Sequence, residues 1–312
     1  MTSTDSVDPE LRPLLEALPA MELSAEALPM IRQGIAANYG GEAKQADMRT
    51  TIPGADGGPA IPLHVYFPAH EEDKLPAIID LHGGGFVLGS SAMTDAANRN
   101  LADTLGQVVI SPDYRLAPEN PYPGPVEDCY ATLQWAHTNA DDLRIHRERI
   151  AVVGTSAGGA LAASLALLAR DRAEFEIAFL ALLSPVLDDR SCFDDATSPY
   201  SGKSFWTRAN SRFGWTAYLG GAPGGDEPGE YASPARAATF EGLPPTFLSV
   251  GALDILLDEC LDFAKALAHA NVPVEAHVYP RAFHGFELAA TSQVARNAER
   301  DKLNALRRAL NL

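Results

Sequence analysis

Cysteine is scarce: Cys129, Cys192 and Cys260 are far apart and odd in number within 312 residues. They supply neither a disulfide framework nor a zinc-ligand pair, and the expectation is buried free thiols. Positive charge is also short, with 24 Lys and Arg against 41 Asp and Glu for a net −17, and no basic run breaks the deficit. Such a surface repels phosphate backbones and anionic headgroups, so neither nucleic acid nor a membrane surface is expected as a partner. No stretch approaches the roughly 18 to 20 apolar residues of a spanning helix. Met1 to Asp8 lacks a basic segment followed by an apolar one, so a soluble, cytoplasmic protein is expected. Internal repeats and low-complexity tracts are absent. His64, His70, His137, His146, His269 and His277 are scattered without the spacing of metal ligands, so no metal site is expected.

What is present fits one large catalytic domain, with 46% hydrophobic and 21% charged residues. Asp8-Pro9 reads as a helix start followed by Leu11, Leu14, Leu15 and Leu18 at helical spacing, and Ser24 to Tyr39 as a second helix with Leu28, Ile31 and Ile35 on one face. Arg49 to Ile52 and Ile61 to Phe67 read as an antiparallel hairpin around the Gly54 to Gly58 turn. Short apolar runs then alternate with helical segments: 77–81, 108–111, 150–153, 178–183, 246–250 and 274–278, with helices over 98–105, 126–139, 157–170, 258–270 and 291–310. That alternation predicts an α/β fold with a mostly parallel central sheet and helices on both faces. Residues 1–45 are expected as N-terminal cap helices, with the catalytic domain over 46–187 and 221–312. Between them, 188–220 is too long for an ordinary crossover and holds Phe193, Tyr200, Phe205, Trp206, Phe213, Trp215 and Tyr218. It is expected to be an inserted cap segment over a pocket, the alternative being a long crossover packed on the main body.

The chemistry concentrates in four places. Gly154-Thr155-Ser156-Ala157-Gly158 lies between an apolar strand and a helical run, the setting of a nucleophile elbow, with Gly159 adding room. His82-Gly83-Gly84-Gly85 follows a strand directly, and its glycines let backbone N–H groups approach a developing oxyanion. The N–H groups of Gly83, Gly84 and Ala157 are therefore the candidate oxyanion hole, and His82 itself reads as structural. The same glycines open like a dinucleotide fingerprint, but Gly89 comes one residue late and the strand is not the first of its series. A serine hydroxyl needs a base near neutral pKa and a carboxylate to fix that base's tautomer. His284, in the turn after the last strand, and Asp254, past the end of the strand before it, supply both in the order serine, aspartate, histidine. Asp258 and Glu259 are rivals for the acid and read instead as capping or charge-balancing the start of the helix they begin.

Taken together, His82-Gly83-Gly84-Gly85, Tyr114-Arg115-Leu116-Ala117-Pro118-Glu119, Gly154 to Gly159, Asp254 with Asp258-Glu259, and His284-Gly285-Phe286 resemble the hormone-sensitive-lipase-like bacterial esterases. The resemblance implies an α/β-hydrolase fold, hydrolysis of short- to medium-chain acyl esters as small-molecule substrates, no cofactor, a helical cap and often a homodimer. It also implies that Asp113 to Glu119 supports the oxyanion loop. Thr155 stands where aspartate is commoner and looks like the threonine-type subgroup, while Ile255 replaces a usual proline after the acid. An amidase, deacetylase or lactonase would use the same triad, and plant hormone receptors of the same resemblance keep the pocket without the histidine. With His284 as base, activity is expected to fall as pH drops through roughly 6 to 7.

Overall fold

The computed structural model describes residues 3–18, 21–39, 43, 45–69, 73–193, 201, 205–226 and 228–310. Tyr200, His70 and residues 194–200 and 202–204 of the expected cap segment lie outside the described residues. The chain runs α1 (Arg12–Ala17), α2 (Leu28–Tyr39), β1 (Met48–Ile52), β2 (Ile61–Tyr66), β3 (Leu75–Leu81), α3 (Ser91–Leu105), β4 (Val108–Pro112), α4 (Gly124–Thr138) and β5 (Ile145–Thr155). It continues through α5 (Ala157–Arg172), β6 (Phe179–Leu183), α6 (Arg208–Leu219), β7 (Thr246–Gly251), α7 (Leu257–His269), β8 (Val274–Tyr279) and α8 (Gln293–Ala309).

The eight strands form one sheet in the order β1-β2-β4-β3-β5-β6-β7-β8. The β1-β2 hairpin joins antiparallel at one edge, through β2 on β4, and every other neighbouring pair is parallel. Each residue of β3, β4 and β7 is buried, as expected of parallel strands covered by helices on both faces. The expected α/β architecture is therefore the one observed. Because β3, β5, β7 and β8 run the same way, the loops that carry the chemical motifs leave one end of the sheet together.

Both N-terminal helices start later than their sequence suggests, and proline is the reason. A helix opening at Pro9 would place Pro13 in its interior, where the ring clashes with the preceding turn and no N–H is available. Pro13 instead sits in the first turn of α1, while Asp8 Oδ1 accepts from Glu10 N at 2.8 Å in a separate turn. In the same way Pro29 is the second residue of α2, and Ser24 Oγ accepts from Ala27 N at 3.1 Å ahead of it. Helix α3 begins seven residues earlier than expected, because Ala92, Asp95, Asn98, Leu101, Ala102 and Leu105 share one buried face.

The segment after β4 is locked by a buried ion pair. Arg115 meets Asp128 on α4 through Nη2 to Oδ1 at 2.7 Å and Nε to Oδ2 at 2.8 Å, while the Arg115 backbone N–H donates to Oδ2 at 2.9 Å. The Asp128 side chain is fully enclosed, so removing its partner leaves a stranded charge. Arg115→Leu is expected to lower unfolding free energy by roughly 3 to 5 kcal/mol in urea melts, and adding Asp128→Leu should restore much of it. A double variant no more stable than Arg115→Leu would contradict this.

Candidate active site

Ser156 occupies the turn between β5 and α5 with φ 55° and ψ −117°, a conformation that costs a non-glycine residue about 1 to 3 kcal/mol. The surroundings hold it there: its N–H donates to Leu183 O at 2.8 Å, and its carbonyl accepts from Gly159 N, Ala160 N and Val186 N at 2.9, 3.2 and 3.1 Å. At this turn α5 starts hard against β3. A Cβ on Gly158 would lie 2.0 Å from Leu81 O and 2.4 Å from His82 O.

The structure brings the three expected side chains together. Ser156 Oγ is 3.0 Å from His284 Nε2, and His284 Nδ1 is 2.7 Å from Asp254 Oδ2, all three residues being buried. With the Nδ1–H tautomer the imidazole donates to Asp254, leaving Nε2 to accept from the serine. Asp254 Oδ1 in turn accepts from Leu256 N at 3.1 Å, and Leu253 N donates to Ala282 O at 2.8 Å, tying the acid loop to the histidine loop. Asp258 is exposed on the first turn of α7. Glu259 corrects the sequence reading: it is buried rather than balancing the helix start, and its Oε1 accepts from Leu187 N at 2.6 Å. Burial pushes its carboxyl up to about 8.

Gly83 lies against the serine, since a Cβ built there would be 3.4 Å from Ser156 Cβ. Gly84 has φ +134°, and a Cβ there would fall 2.1 Å from Leu88 O, so the loop needs glycine. Among the described residues neither Gly83 nor Gly84 donates its N–H to a backbone carbonyl. Ala157 supplies the first amide of α5, one of the donors a helix start leaves open.

The segment 113–119 braces this loop from behind. Tyr114 OH donates to His82 O at 2.7 Å, its ring stacks on the His82 imidazole at 4.2 Å, and Ala117 N donates to Phe86 O at 3.0 Å. His82 Nδ1 contacts Gly83 O at 2.9 Å within the same buried cluster, and burial holds its pKa low.

Helix α6, in the expected insertion, packs on the other side of the loop. Tyr218 stacks on Phe86 at 4.2 Å, and Trp215 lies 5.1 Å from the same ring. The Trp206 indole rests on Gly85, 6.0 Å between ring centres from His284. Asn210 joins this segment to the N-terminal one, accepting from Leu23 N at 2.9 Å and donating to Met21 O at 2.8 Å. Phe193 does not join the cover: it is exposed, with the Arg212 guanidinium over its ring.

Sequence reasoning missed Glu287, which sits in the short turn after His284. Burial pushes its carboxyl up to about 7, with the nearby histidine working against that. Trp206 was visible only as one aromatic among several. Surface clefts of about 650 and 620 Å³, one around Arg170 and one around Tyr130, share no residue with the triad. Among the described residues no group of three His, Cys, Asp or Glu side chains converges as a metal site, and no helix is long and apolar enough to cross a membrane.

The profile of a protein family described as alpha/beta hydrolase fold matches residues 78–288, a span that begins in β3 and ends just beyond His284. The chain belongs to that family. Among relatives of this α/β-hydrolase is carboxylesterase NlhH of Mycobacterium tuberculosis, 33% identical with 98% of this chain and 97% of that one aligned. The solved structure named bacterial heroin esterase superposes with TM-score 0.92 at 37% identity over 99% of both chains. Esterase LipW from Mycobacterium marinum gives TM-score 0.86 at 31% identity over 99% of this chain and 97% of that one. The resemblance to esterases carried by the motifs thus extends across nearly the whole chain.

Burial disfavours the imidazolium of His284, but the Asp254 carboxylate and its hydrogen bond outweigh that, and Glu287 adds to them, so the pKa is raised. NMR titration of His284 should therefore give a pKa above the ordinary value of about 6.5, and Asp254→Asn should lower it. An ordinary or depressed value in the wild type would show that Asp254 does not govern the ring.

Proposed function

We propose that this carboxylic ester hydrolase is a serine carboxylesterase acting on short- to medium-chain acyl esters through an acyl-enzyme. The observation that carries the reading is the unbroken line of hydrogen bonds from Ser156 Oγ through His284 to Asp254, formed beside Gly83, whose N–H, like that of Gly84, donates to no backbone carbonyl among the described residues. In acylation, His284 Nε2 takes the serine proton as Oγ bonds to the ester carbonyl carbon. The carbonyl oxygen becomes an oxyanion facing the N–H groups of Gly83, Gly84 and Ala157, at the positive end of α5. Collapse breaks the bond to the alcohol, which leaves with the proton from His284. Water then attacks the acyl-serine with the same base, the carboxylic acid departs, and Ser156 recovers its proton. Asp254 holds the tautomer and stabilises the imidazolium formed twice per turnover. The names of the relatives point to ester substrates, and the chemistry needs no cofactor or metal.

The reading includes a cap made of α2 with the rest of residues 1–45, and of the 188–220 segment carrying α6, stitched by Asn210 and closing over Ser156. The proposal also takes Thr155, before the serine, as the mark of the threonine-type subgroup. Cytoplasmic localisation and a homodimer belong to the same proposal, the first because three buried, unpaired cysteines suit a reducing compartment.

Hydrolysis of p-nitrophenyl esters from acetate to palmitate is expected to peak at the shorter chains and to fall by at least roughly 10⁴-fold in Ser156→Ala. Turnover retained by that variant would overturn the serine mechanism. The acid limb of kcat/KM should lie above about 6.5, because His284 must be neutral to act and its pKa is raised. A rate flat down to pH 4 would exclude His284 as base.

A further inference from the structure

Arg32 is the point at which α2 grips the loop that follows β3. Its Nε donates to Val87 O at 2.8 Å and its Nη2 to Ala117 O at 2.7 Å. The two Nη atoms also pair with Glu119, Nη1 to Oε1 at 2.8 Å and Nη2 to Oε2 at 3.0 Å. A pairing of this kind between exposed groups is worth little alone, as Glu119 is more than half exposed. The two carbonyl contacts are different, because they close a ring. Ala117 N donates to Phe86 O, Phe86 is bonded to Val87, and the guanidinium spans Val87 O and Ala117 O. The loop behind the Gly83 and Gly84 amides is therefore held from the α2 side as well as by Tyr114 and α6.

The mechanical path from Arg32 to those amides is short. Val87 N and Leu88 N both donate to Gly84 O, at 3.2 and 2.8 Å, so the carbonyl gripped by Arg32 belongs to a turn closed directly on Gly84. Val87 O and Leu88 N belong to one peptide, so Arg32 holds the group that donates to Gly84 O, and the Gly84 N–H lies just across the Cα from that carbonyl. Only a planar fork can serve Val87, Ala117 and Glu119 at once; a lysine ammonium, as a compact point charge, cannot match all three. Ile31 and Ile35, on the same helix, pack against the main core, so the arginine is mounted on a seated helix rather than a free arm.

We propose that Arg32 is a positioning residue for the oxyanion hole: seating of α2 sets the Gly83 and Gly84 donors through the Val87 carbonyl, so transition-state stabilisation depends on the N-terminal helix being docked. This rests on the serine esterase reading above. It assigns to α2 a role in rate, where a helix that merely roofed the pocket would act on substrate affinity. Donors displaced from the oxyanion's position lose much of their effect, since this stabilisation is geometric.

The test uses the full chain and p-nitrophenyl butyrate, comparing wild type, Arg32→Lys, Arg32→Ala and Ser156→Ala. Alongside turnover, inhibition by an alkyl trifluoromethyl ketone is measured, because its serine hemiketal carries the oxyanion that the donors must hold. Arg32→Ala is expected to lower kcat by roughly 10- to 100-fold and to weaken the ketone by a similar factor, with KM little changed. Arg32→Lys should fall between it and wild type in both readouts. A raised KM with unchanged kcat, or a kcat loss without loss of ketone affinity, overturns the proposal. If Arg32→Ala does not fold, Arg32→Lys decides alone: kcat and ketone affinity must fall together or the proposal fails. Turnover retained by Ser156→Ala would remove the serine reading and this inference with it, whereas an inactive Ser156→Ala beside unchanged Arg32 variants would remove only the inference.

Discussion

The close approach of α5 to β3 is the constraint on which the site depends. With Gly158 lying under the carbonyls of Leu81 and His82, no side chain is tolerated at that position. The same closeness puts the residue before α5, Ser156, beside Gly83 in the loop leaving β3. Ser156, the proposed nucleophile, and the prospective oxyanion donors are thus neighbours because two backbones touch. The strained φ of Ser156 is the local consequence, sustained by four backbone hydrogen bonds that tie the turn to β6, to α5 and to the chain just beyond β6. A turn that stores this strain is kept only where its surroundings over-determine it.

Around that contact, the loops that carry the site are tied down before any substrate arrives. The acid loop after β7 bonds to the histidine loop after β8 through Leu253 and Ala282, and the side-chain pair of Asp254 and His284 repeats the tie. The loop after β3 is gripped by Tyr114, by the aromatic face of α6 and by Arg32. The N-terminal segment is itself clamped to the histidine loop, with Asp8 N donating to Arg281 O and Arg281 reaching back to the carbonyls of Ser6 and Val7. Preorganisation of this kind lets aligned dipoles act on developing charge without reorganising during the reaction.

Much of this could be read from the sequence, because it is local. Apolar runs such as Ile150 to Val153, flanked by glycine and a helical pattern, mark a buried parallel strand wherever they occur, and the serine, acid and histidine follow them at strand ends. Helix starts were less legible: Asp8 and Ser24 look like caps, but Pro13 and Pro29 set where α1 and α2 can begin. What stayed hidden depends on distant contacts. Nothing next to Arg32 in the chain indicates that its guanidinium reaches residues 87, 117 and 119. Glu259 looks like a helix-start acid until the chain beyond β6 reaches it, where Leu187 N donates to its carboxyl. Trp206 differs from its aromatic neighbours only by lying over Gly85 and near His284.

In the proposed mechanism Ser156 is a nucleophile activated by His284. Labelling of the native protein with a fluorophosphonate, followed by peptide mass spectrometry, tests it directly, because only an activated serine beside oxyanion donors reacts quickly with such a probe. A single stoichiometric adduct on Ser156, lost in His284→Ala, is expected. An unlabelled protein, or an adduct on another serine, would contradict it.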